Sequence, residues 1–138
     1  MIQASELRKD NIVFRKFLNP SPTGLKTCYA SCKIKSIGIE RVIYECKDKS
    51  LNKVGYDNIY PIQLTEDWLL RLGFVVTETN NGIECYYFGS RYSIFKPKDC
   101  SVWIFCDGEN ALTNFEHIHT LQNIWFALTN QELTLKDS

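Results

Sequence analysis

Residues 116–133 read EHIHTLQNIWFALTNQEL and hold both histidines of the chain, His117 and His119, beside Glu116. Side chains of these types at such density could bind a metal ion or perform acid–base chemistry. Histidines that chelate one ion from a helix stand three or four residues apart, because those spacings place them on one face. His117 and His119 are two residues apart, about 200° around a helix. We therefore predict that they lie at a helix start and have no catalytic role.

An apolar stripe supports the helical assignment of this stretch. Its residues recur at the spacings of one helix face, as in a helix packed on a sheet. They are Ile118, Leu121, Ile124, Trp125 and Leu128. Gln122, Asn123 and Thr129 lie toward the edges of the stripe. The two amides could bond neighbouring backbone or a partner, and we predict the structural role. The helix is expected to begin near residues 115–117 and to run to about Thr129.

Cysteines are the second set of groups able to do chemistry. The six are Cys28, Cys32, Cys46, Cys85, Cys100 and Cys106. No pair has the C-x-x-C spacing of zinc ribbons or redox sites. Strand parity places Cys28 and Cys32 on one side of a strand, and Cys100 and Cys106 on one side of another. Because free cysteine packs like a small apolar residue, we predict reduced, inward-facing thiols. The alternative is zinc held by Cys28, Cys32 and Cys46 with a histidine.

Other catalytic constellations are absent from the sequence. It contains no Gly-rich phosphate loop, no G-x-S-x-G and no H-E-x-x-H. Cys106 could pair with either histidine, and Asp107 with Glu116 could form an acid pair. The thiols, however, are expected to face inward, and nothing distinguishes these carboxylates from surface ones. We therefore predict a protein without enzymatic activity, cofactor, metal ion or small-molecule substrate.

Charge is distributed unevenly along a chain whose net charge is zero. Residues 1–63 hold 11 basic and 6 acidic residues, and residues 64–138 hold 5 basic and 10 acidic residues. The split coincides with a change in predicted structure. It indicates a basic β-rich subdomain at 1–63 and an acidic α+β subdomain at 64–138. An ordinary solvated surface whose halves attract each other is the alternative.

The first half is predicted to consist of short strands joined by turns. A turn or short helix capped by Ser5 comes first, and strands follow at residues 11–17, 27–37, 39–47 and 54–62. Residues 18–25, LNPSPTGL, hold two prolines and a glycine and are predicted to form a loop. Residues 47–53 are predicted to form a polar connection. This pattern favours a small curved antiparallel sheet or a barrel.

A basic surface on this sheet is the candidate binding site. Alternation places Lys33 and Lys35 on the outer side of a strand with Tyr29. Arg41 could join them from the next strand, and more lysines follow in the polar connection. A β-surface with basic and aromatic side chains can contact phosphates and stacked bases. The candidate residues for binding nucleic acid or a partner are Tyr29, Lys33, Lys35, Arg41, Lys47 and Lys49.

The second half is predicted to be a helix, a β-meander and the closing helix. Thr65 caps the first helix, acids follow in its first turn, and Gly73 ends it. The Asn-Gly pair at 81–82 predicts a hairpin between strands at 74–79 and 83–88. Further strands are expected at 91–95 and 101–106, then a loop at 107–110, and an edge strand at 132–135 after the closing helix. A sheet covered by helices in this way gives an α+β fold.

Three blocks of this chain resemble a known family. ASELR (4–8) with NIV (11–13), PIQLTEDWLL (61–70) with LGF (72–74), and HTLQNIWFALTNQELTL (119–135) are similar to blocks of small proteins of unassigned function. Phages and prophages of Bacteroidetes bacteria carry these proteins. The blocks cover roughly a third of the chain in the same order. They coincide with the predicted first strand, capped helix and final helix, so the resemblance implies a scaffold and a phage origin. It carries over no catalytic residue.

Phage origin without catalytic groups indicates a protein that acts by binding. Small phage accessory proteins often occupy a host nucleoprotein complex, and anti-CRISPR proteins are the best-known kind. We predict a non-enzymatic accessory protein that counters host defence in the host bacterial cytoplasm by binding an effector nuclease or its guide RNA. An RNA- or DNA-binding protein without inhibitor activity is the alternative. A membrane partner is not expected, because MIQASELRKDN lacks a signal-peptide core and no segment approaches the roughly 20 apolar residues of a span.

Overall fold

The structure, a computed structural model, describes residues 2–136. These residues form two five-stranded antiparallel sheets and two α-helices. The predicted α+β class is confirmed. In the predicted half at 64–138, residues 137 and 138 lie outside the described part. The division between residues 63 and 64 stays a prediction.

The first sheet is built from the N-terminal strands. They are β1 (Ile12–Ser21), β2 (Gly24–Ile37), β3 (Arg41–Glu45), β4 (Leu51–Gly55) and β5 (Ile59–Tyr60). Their order is β4-β3-β2-β1-β5, and every neighbouring pair is antiparallel. Among residues 2–136 no pairing joins β4 to β5, so the sheet is open. Of the two predicted alternatives, the sheet rather than the barrel describes this half.

The predicted loop at 18–25 is wrong, because strands occupy most of it. β1 runs through Pro20 to Ser21, β2 begins at Gly24, and Pro22 and Thr23 form the turn. Proline at the second position and glycine at the fourth suit a tight turn. Pro20 pairs with Leu25, and its missing N–H is tolerated because β1 has a strand on only one side there.

Other boundaries in this half also differ from those predicted. β4 begins at Leu51, inside the predicted connection at 47–53. A 3₁₀ turn at Tyr56–Asn58 interrupts the predicted strand at 54–62, so that β5 keeps only two residues. The N-terminal turn is a 3₁₀ helix at Ala4–Glu6, and its cap position is Gln3 rather than Ser5. These differences shift the ends of strands. The two predicted turns, one before β3 and one between β3 and β4, are both present.

The second half forms the predicted helix, meander and helix. Its elements are α1 (Glu66–Arg71), β6 (Val75–Thr79), β7 (Gly82–Tyr86), β8 (Tyr92–Pro97), β9 (Trp103–Asp107), β10 (Asn110–Phe115) and α2 (Ile118–Thr129). The strands are ordered β10-β9-β8-β7-β6, each paired with its neighbour along the chain. Thr65 caps α1 as predicted, its Oγ1 accepting the Trp68 N–H at 3.3 Å. The predicted hairpin also forms: Gly82 has φ +148°, and a Cβ there would lie 2.1 Å from the Lys96 carbonyl oxygen.

This half departs from the prediction in two places. The predicted loop at 107–110 closes a hairpin, with Asp107 opposite Asn110, and the strand that follows it, β10, was not predicted. The residues of β10 are exposed up to Phe115 and do not alternate between apolar and polar, so no local pattern marked them as a strand. The predicted edge strand at 132–135 does not form. That segment is irregular chain, fixed by the buried Leu133 and by a 2.7 Å bond from the Lys136 N–H to the Arg71 carbonyl.

The apolar residues form two clusters. The smaller one lies on the first sheet and includes Val13, Ile34 and Ile59. The larger one lies in the second half, where Phe105 packs with Trp125 of α2. β1 serves both, because Val13 points into the smaller cluster and its neighbour in sequence, Ile12, points into the larger one. The first sheet is thereby fastened to the second half through alternate residues of one strand.

Candidate functional site

The histidine pair lies at the start of α2, as predicted. His117 occupies the N-cap position with extended backbone, and the His119 side chain is buried, 3% exposed. The two rings stack with centroids 5.8 Å apart. Burial, with a smaller effect from His117, lowers the pKa of His119 from 6.5 to about 4. His119 is therefore neutral at physiological pH and is placed in a core rather than facing a substrate.

The polar edge of α2 is occupied by bonds to the rest of the fold, which confirms the structural role predicted for the amides. Gln122 Oε1 accepts the Ile12 N–H at 2.8 Å, and its Nε2 lies 3.1 Å from the carbonyl oxygens of Asp10 and Leu133. Asn123 Oδ1 accepts from Asn11 Nδ2 at 2.8 Å. One helix edge thus joins the N-terminal strand to the C-terminal segment.

Arg8 completes this junction. Its guanidinium donates to Asn123 Oδ1 at 3.2 Å, pairs with the Glu132 carboxylate and lies 4.2 Å from the centroid of the Phe126 ring. The blocks ASELR, NIV and HTLQN therefore contact one another in space, and the QEL segment joins them through Glu132. The residues that carry the family resemblance build a scaffold.

The apolar stripe of α2 is mostly as predicted. Ile118, Leu121 and Trp125 are buried, and Ile124 packs partly against the same core. Leu128 is exposed and is the exception. The helix ends at Thr129, and its C-cap residue Asn130 has a φ of +57°.

The cysteines are all free thiols, in environments that differ more than predicted. Cys32 and Cys85 are buried, and burial raises the pKa of each to about 12. The expectation for β9 is wrong: Trp103 and Phe105 face the core, while Cys106 is only half-buried, on the opposite side of the strand. Cys100, expected to face inward, is exposed in the turn before β9. The bulky aromatic side chains take the core side, and the thiols do not.

The alternative prediction, a zinc ion held by Cys28, Cys32 and Cys46 with a histidine, does not agree with the structure. Across residues 2–136, no three His, Cys, Asp or Glu side chains come together in a group that could hold a metal ion. Cys28, Cys32 and Cys46 all lie on the first sheet or just beyond it. Both histidines lie at the start of α2. The described residues therefore offer no centre around which metal chemistry could be built.

Four of the predicted basic residues lie together, at one end of the β2–β3 pair. Lys33 is opposite Glu45 in the sheet register. Lys35 Nζ is 3.4 Å and Lys49 Nζ is 3.8 Å from the Glu45 carboxylate. Lys47 is exposed on the same turn as Lys49. We call Lys33, Lys35, Lys47 and Lys49 the lysine cluster.

Arg41 and Tyr29 lie away from the lysine cluster. Arg41 begins β3, opposite Gly55, four residues from Glu45 or about 13 Å along a strand. Tyr29 is four residues from Lys33 in the other direction, and its ring packs on Tyr60 at 5.6 Å and on Phe14 at 6.2 Å. The structure therefore places the six predicted residues in three separate regions.

A cleft of about 430 Å³ adjoins the lysine cluster. Lys33, Lys47 and Lys49 line one side of it, together with Glu45, and the C-terminal segment at 133–135 lines another. Small-molecule sites in proteins have volumes of about 300–1,000 Å³. The cleft has the size and the convergent polar groups of a binding site.

A two-stranded β-ribbon, which we call the arm, extends the first sheet. It consists of residues 16–29, the outer part of the β1–β2 hairpin. β5 pairs with β1 only at Phe14 and Arg15, and β3 pairs with β2 only from Lys33 onward. Within residues 2–136, no third strand pairs with the arm. Six residue pairs give it a length of about 20 Å, with both strand edges free.

One face of the arm carries several exposed apolar side chains, beside Lys16 and Thr27. Cross-strand pairing places Leu18, Pro20, Leu25 and Tyr29 on the same side. Leu18 is 57%, Leu25 is 69% and Tyr29 is 52% exposed. Exposed apolar side chains in a contiguous row are typical of interaction surfaces. We call this row the apolar strip.

The hairpin that carries the arm has no carboxylate. Between Asp10 and Glu40 the sequence holds five basic residues and no acidic one. Two of the five, Lys16 and Lys26, are in the arm. Neither was among the predicted binding residues: Lys16 lies in the predicted strand at 11–17, and Lys26 directly follows the predicted loop at 18–25. The acid-free run was the signal that could have found them, since strands that contact polyanions exclude carboxylates.

This surface offers several groups that can bind a partner. The arm offers lysines for phosphates, an apolar strip for protein or bases, and free strand edges for backbone pairing. Within residues 2–136 no helix is both long enough and apolar enough to cross a membrane. No family model, curated protein or solved structure matches the chain.

Proposed function

We propose that this protein is a non-enzymatic phage accessory protein that counters host defence by binding a host nucleoprotein complex. An anti-CRISPR inhibitor, which engages an effector nuclease or its guide RNA in the host bacterial cytoplasm, is the specific form of this proposal. The family resemblance supports the phage origin. The arm supports action by binding, and it is the single observation on which the proposal mainly depends.

The arm has the properties that a complex of protein and RNA would require of a ligand. Lys16 and Lys26 can pair with phosphates. The hairpin has no carboxylate that would repel those phosphates. The apolar strip can be buried against protein, and exposed β-edges can add to a partner's sheet. An isolated two-stranded ribbon is only marginally stable in water. An arm of this length therefore gains stability when a partner covers it.

The titratable groups considered for catalysis favour binding over chemistry. Burial raises the pKa of Cys32 and of Cys85 to about 12, so neither is a thiolate at neutral pH. Burial also raises the pKa of Cys106. His119, neutral and buried, is poorly placed to act as its base. A nucleophile with a matched base is the usual requirement for covalent catalysis.

Direct RNA or DNA binding without inhibitor activity is the second candidate. It is favoured by the aromatic group at the base of the arm, where the Tyr29 ring contacts Tyr60 and Lys16 Nζ lies 6.0 Å from the Tyr60 ring centroid. Aromatic rings beside lysines are a common platform for stacked bases. The two candidates differ in whether the purified protein alone binds nucleic acid.

The test begins with a tagged pull-down from a Bacteroidetes host, performed with and without nuclease. We expect one host effector protein to be retained in both samples. Expression of the protein should raise phage plating on a host whose defence uses that effector. Retention of RNA or DNA, with proteins lost after nuclease treatment, would establish the second candidate instead. Equal plating with and without the protein would contradict the inhibitor proposal.

Matched variants locate the binding surface. Leu18→Ser with Leu25→Ser should abolish retention of the effector. Leu51→Ser with Leu112→Ser removes two exposed leucines elsewhere and should retain it. If both double variants behave alike, the arm is not the surface that binds.

A further inference from the structure

The cleft beside the lysine cluster is concave and separate from the arm. Its volume is about 430 Å³, and its lining combines ammonium groups with the apolar side chains of Ile12 and Leu133. A flat surface can follow a nucleic-acid backbone, whereas a recessed cleft of this volume admits a small molecule or a strand end.

Charge in the cleft is positive even after its internal ion pairs are counted. The cations that line it are Lys33, Lys47, Lys49 and Arg71, and the carboxylates are Asp10 and Glu45. Glu45 is shared by Lys35 and Lys49, at 3.4 and 3.8 Å. Lys33 Nζ lies 3.8 Å from Asp10 Oδ1, beyond direct hydrogen-bond distance. Each ammonium has three N–H donors, so the cluster keeps donors for an anion.

The turn that carries Lys47 and Lys49 is held in shape. The Asp48 carboxylate accepts from the Ser50 backbone N–H at 3.0 Å and from its hydroxyl at 2.6 Å. The Lys49 N–H donates to the Cys46 carbonyl at 2.9 Å, with Lys49 in the left-handed conformation at φ +70°. A turn that is ordered before a ligand arrives loses less entropy on binding.

Apart from Arg71, the remaining lining of the cleft is uncharged. Burial raises the pKa of Cys32 to about 12, so this thiol stays protonated, and Ile12 and Leu133 supply apolar surface. A ligand that suits the cleft has an anionic end and an apolar body. We propose that the cleft binds an organic phosphate of nucleotide size, with Lys33, Lys47 and Lys49 contacting the phosphate. The ligand is bound and not turned over.

The test uses the full-length, ¹⁵N-labelled protein and four nucleoside 5′-monophosphates, AMP, GMP, CMP and UMP, with adenosine as the uncharged probe. We expect the amide signals of Lys33, Lys47 and Lys49 to shift with at least one monophosphate and not with adenosine. Lys47→Ala with Lys49→Ala should weaken this binding about tenfold or more, because two charge-assisted contacts are lost. Signals from the arm should not move.

A control variant with the same change in charge distinguishes binding in the cleft from general electrostatic attraction of phosphate to the protein. Arg41→Ala with Lys53→Ala removes two cations outside the cleft and should leave the affinity unchanged. The source of the phosphate is resolved with two short RNA strands, one with a 5′-phosphate and one with a 5′-hydroxyl. Shifts with only the 5′-phosphorylated strand would assign the site to strand ends, and shifts with monophosphates would assign it to free nucleotides.

Three results would overturn the proposal. The first is the lack of any shift at millimolar concentrations of all the phosphorylated probes. The second is an equal response to adenosine and AMP. The third is an equal loss of affinity in the two double variants. These outcomes differ from failure of the proposed function, which is measured with leucine variants of the arm and with phage plating.

Discussion

Gln122 Oε1 accepts the backbone N–H of Ile12 at 2.8 Å, and both residues are buried. The same amide group donates to the carbonyl oxygens of Asp10 and Leu133. One side chain thus satisfies three backbone groups from two chain segments that are more than a hundred residues apart. Because buried backbone groups without partners are strongly unfavourable, this amide determines how the N-terminal strand meets the second half.

Gln122→Leu should destabilise the protein strongly. Three backbone groups would lose a partner, two of them in buried bonds. Each unsatisfied buried group costs about 1–3 kcal/mol, so we expect a loss of roughly 3 kcal/mol in the free energy of unfolding. Urea unfolding followed by far-UV circular dichroism measures this change. Gln131→Leu makes the same replacement at an exposed position and should change stability by less than about 0.5 kcal/mol. Similar losses in the two variants would contradict the assigned role.

His119 should make stability depend on pH below neutrality. The folded pKa is about 4, against an ordinary value of 6.5, so the unfolded chain takes up the proton first as pH falls. Stability from this group is therefore complete above pH 6.5 and is lost progressively toward pH 4. The total is about 3 kcal/mol at most.

Substitution separates this effect from carboxylate titration. His119→Leu should flatten the slope of unfolding free energy against pH between 6.5 and 4. His117→Leu should keep most of the slope, because burial is the larger cause of the shift. An unchanged slope in the His119 variant would show that other groups determine the acid sensitivity.

Thiol reactivity should follow the burial of the cysteines. Cys100 is exposed and should react first with a thiol reagent at pH 8. Cys32 and Cys85, with pKa values near 12, should react only when the protein unfolds. Mass spectrometry of the labelled peptides over time measures the order. Cys100→Ser should remove the fast phase, and early labelling of Cys85 would contradict the structure.

Shortening the arm should leave the fold intact. Replacing residues 18–27 with Asn-Gly would connect Phe17 to Cys28 by a two-residue turn. In the hydrogen-bonding alternation of the hairpin, this pair has the same position as Ser21 and Gly24, which close the native turn. Because no other strand pairs with this part of the hairpin among residues 2–136, the free energy of unfolding should change by about 1 kcal/mol or less. Thermal unfolding measures it. A large loss would show that the arm packs on the body of the protein.

Local signals in the sequence were sufficient for three features of the second half. Thr65 and the acids after it mark α1, Asn81-Gly82 marks a hairpin, and the stripe from Ile118 to Trp125 marks α2. Each signal comes from neighbouring residues whose backbone preferences agree with the fold. The approximate positions of these elements could therefore be predicted without tertiary information.

The candidate site could be predicted only in part, since pairing between strands determines it. That Lys35 and Lys49 share one carboxylate follows from the register between β2 and β3 and from the turn after Glu45, which no local pattern reports. The arm was missed because Pro20 reads as a strand breaker, although a strand paired on one side tolerates it. On β9 the predicted alternation of sides was correct, but the prediction placed the cysteine side toward the core. Trp103 and Phe105 face the core instead.

The position of Gln122 also bears on the order of events during synthesis. The N-terminal strand leaves the ribosome early, yet the N–H of Ile12 and the carbonyl of Asp10 find their buried partner only when α2 has emerged. The Gln122 amide can make its remaining hydrogen bond, to the Leu133 carbonyl, only after Leu133 has emerged as well. Domains generally fold as units, with N-terminal parts first. Until residues 118–133 have been translated, the face of the first sheet that carries Ile12 lacks its buried partners and stays open to solvent, chaperones and proteases.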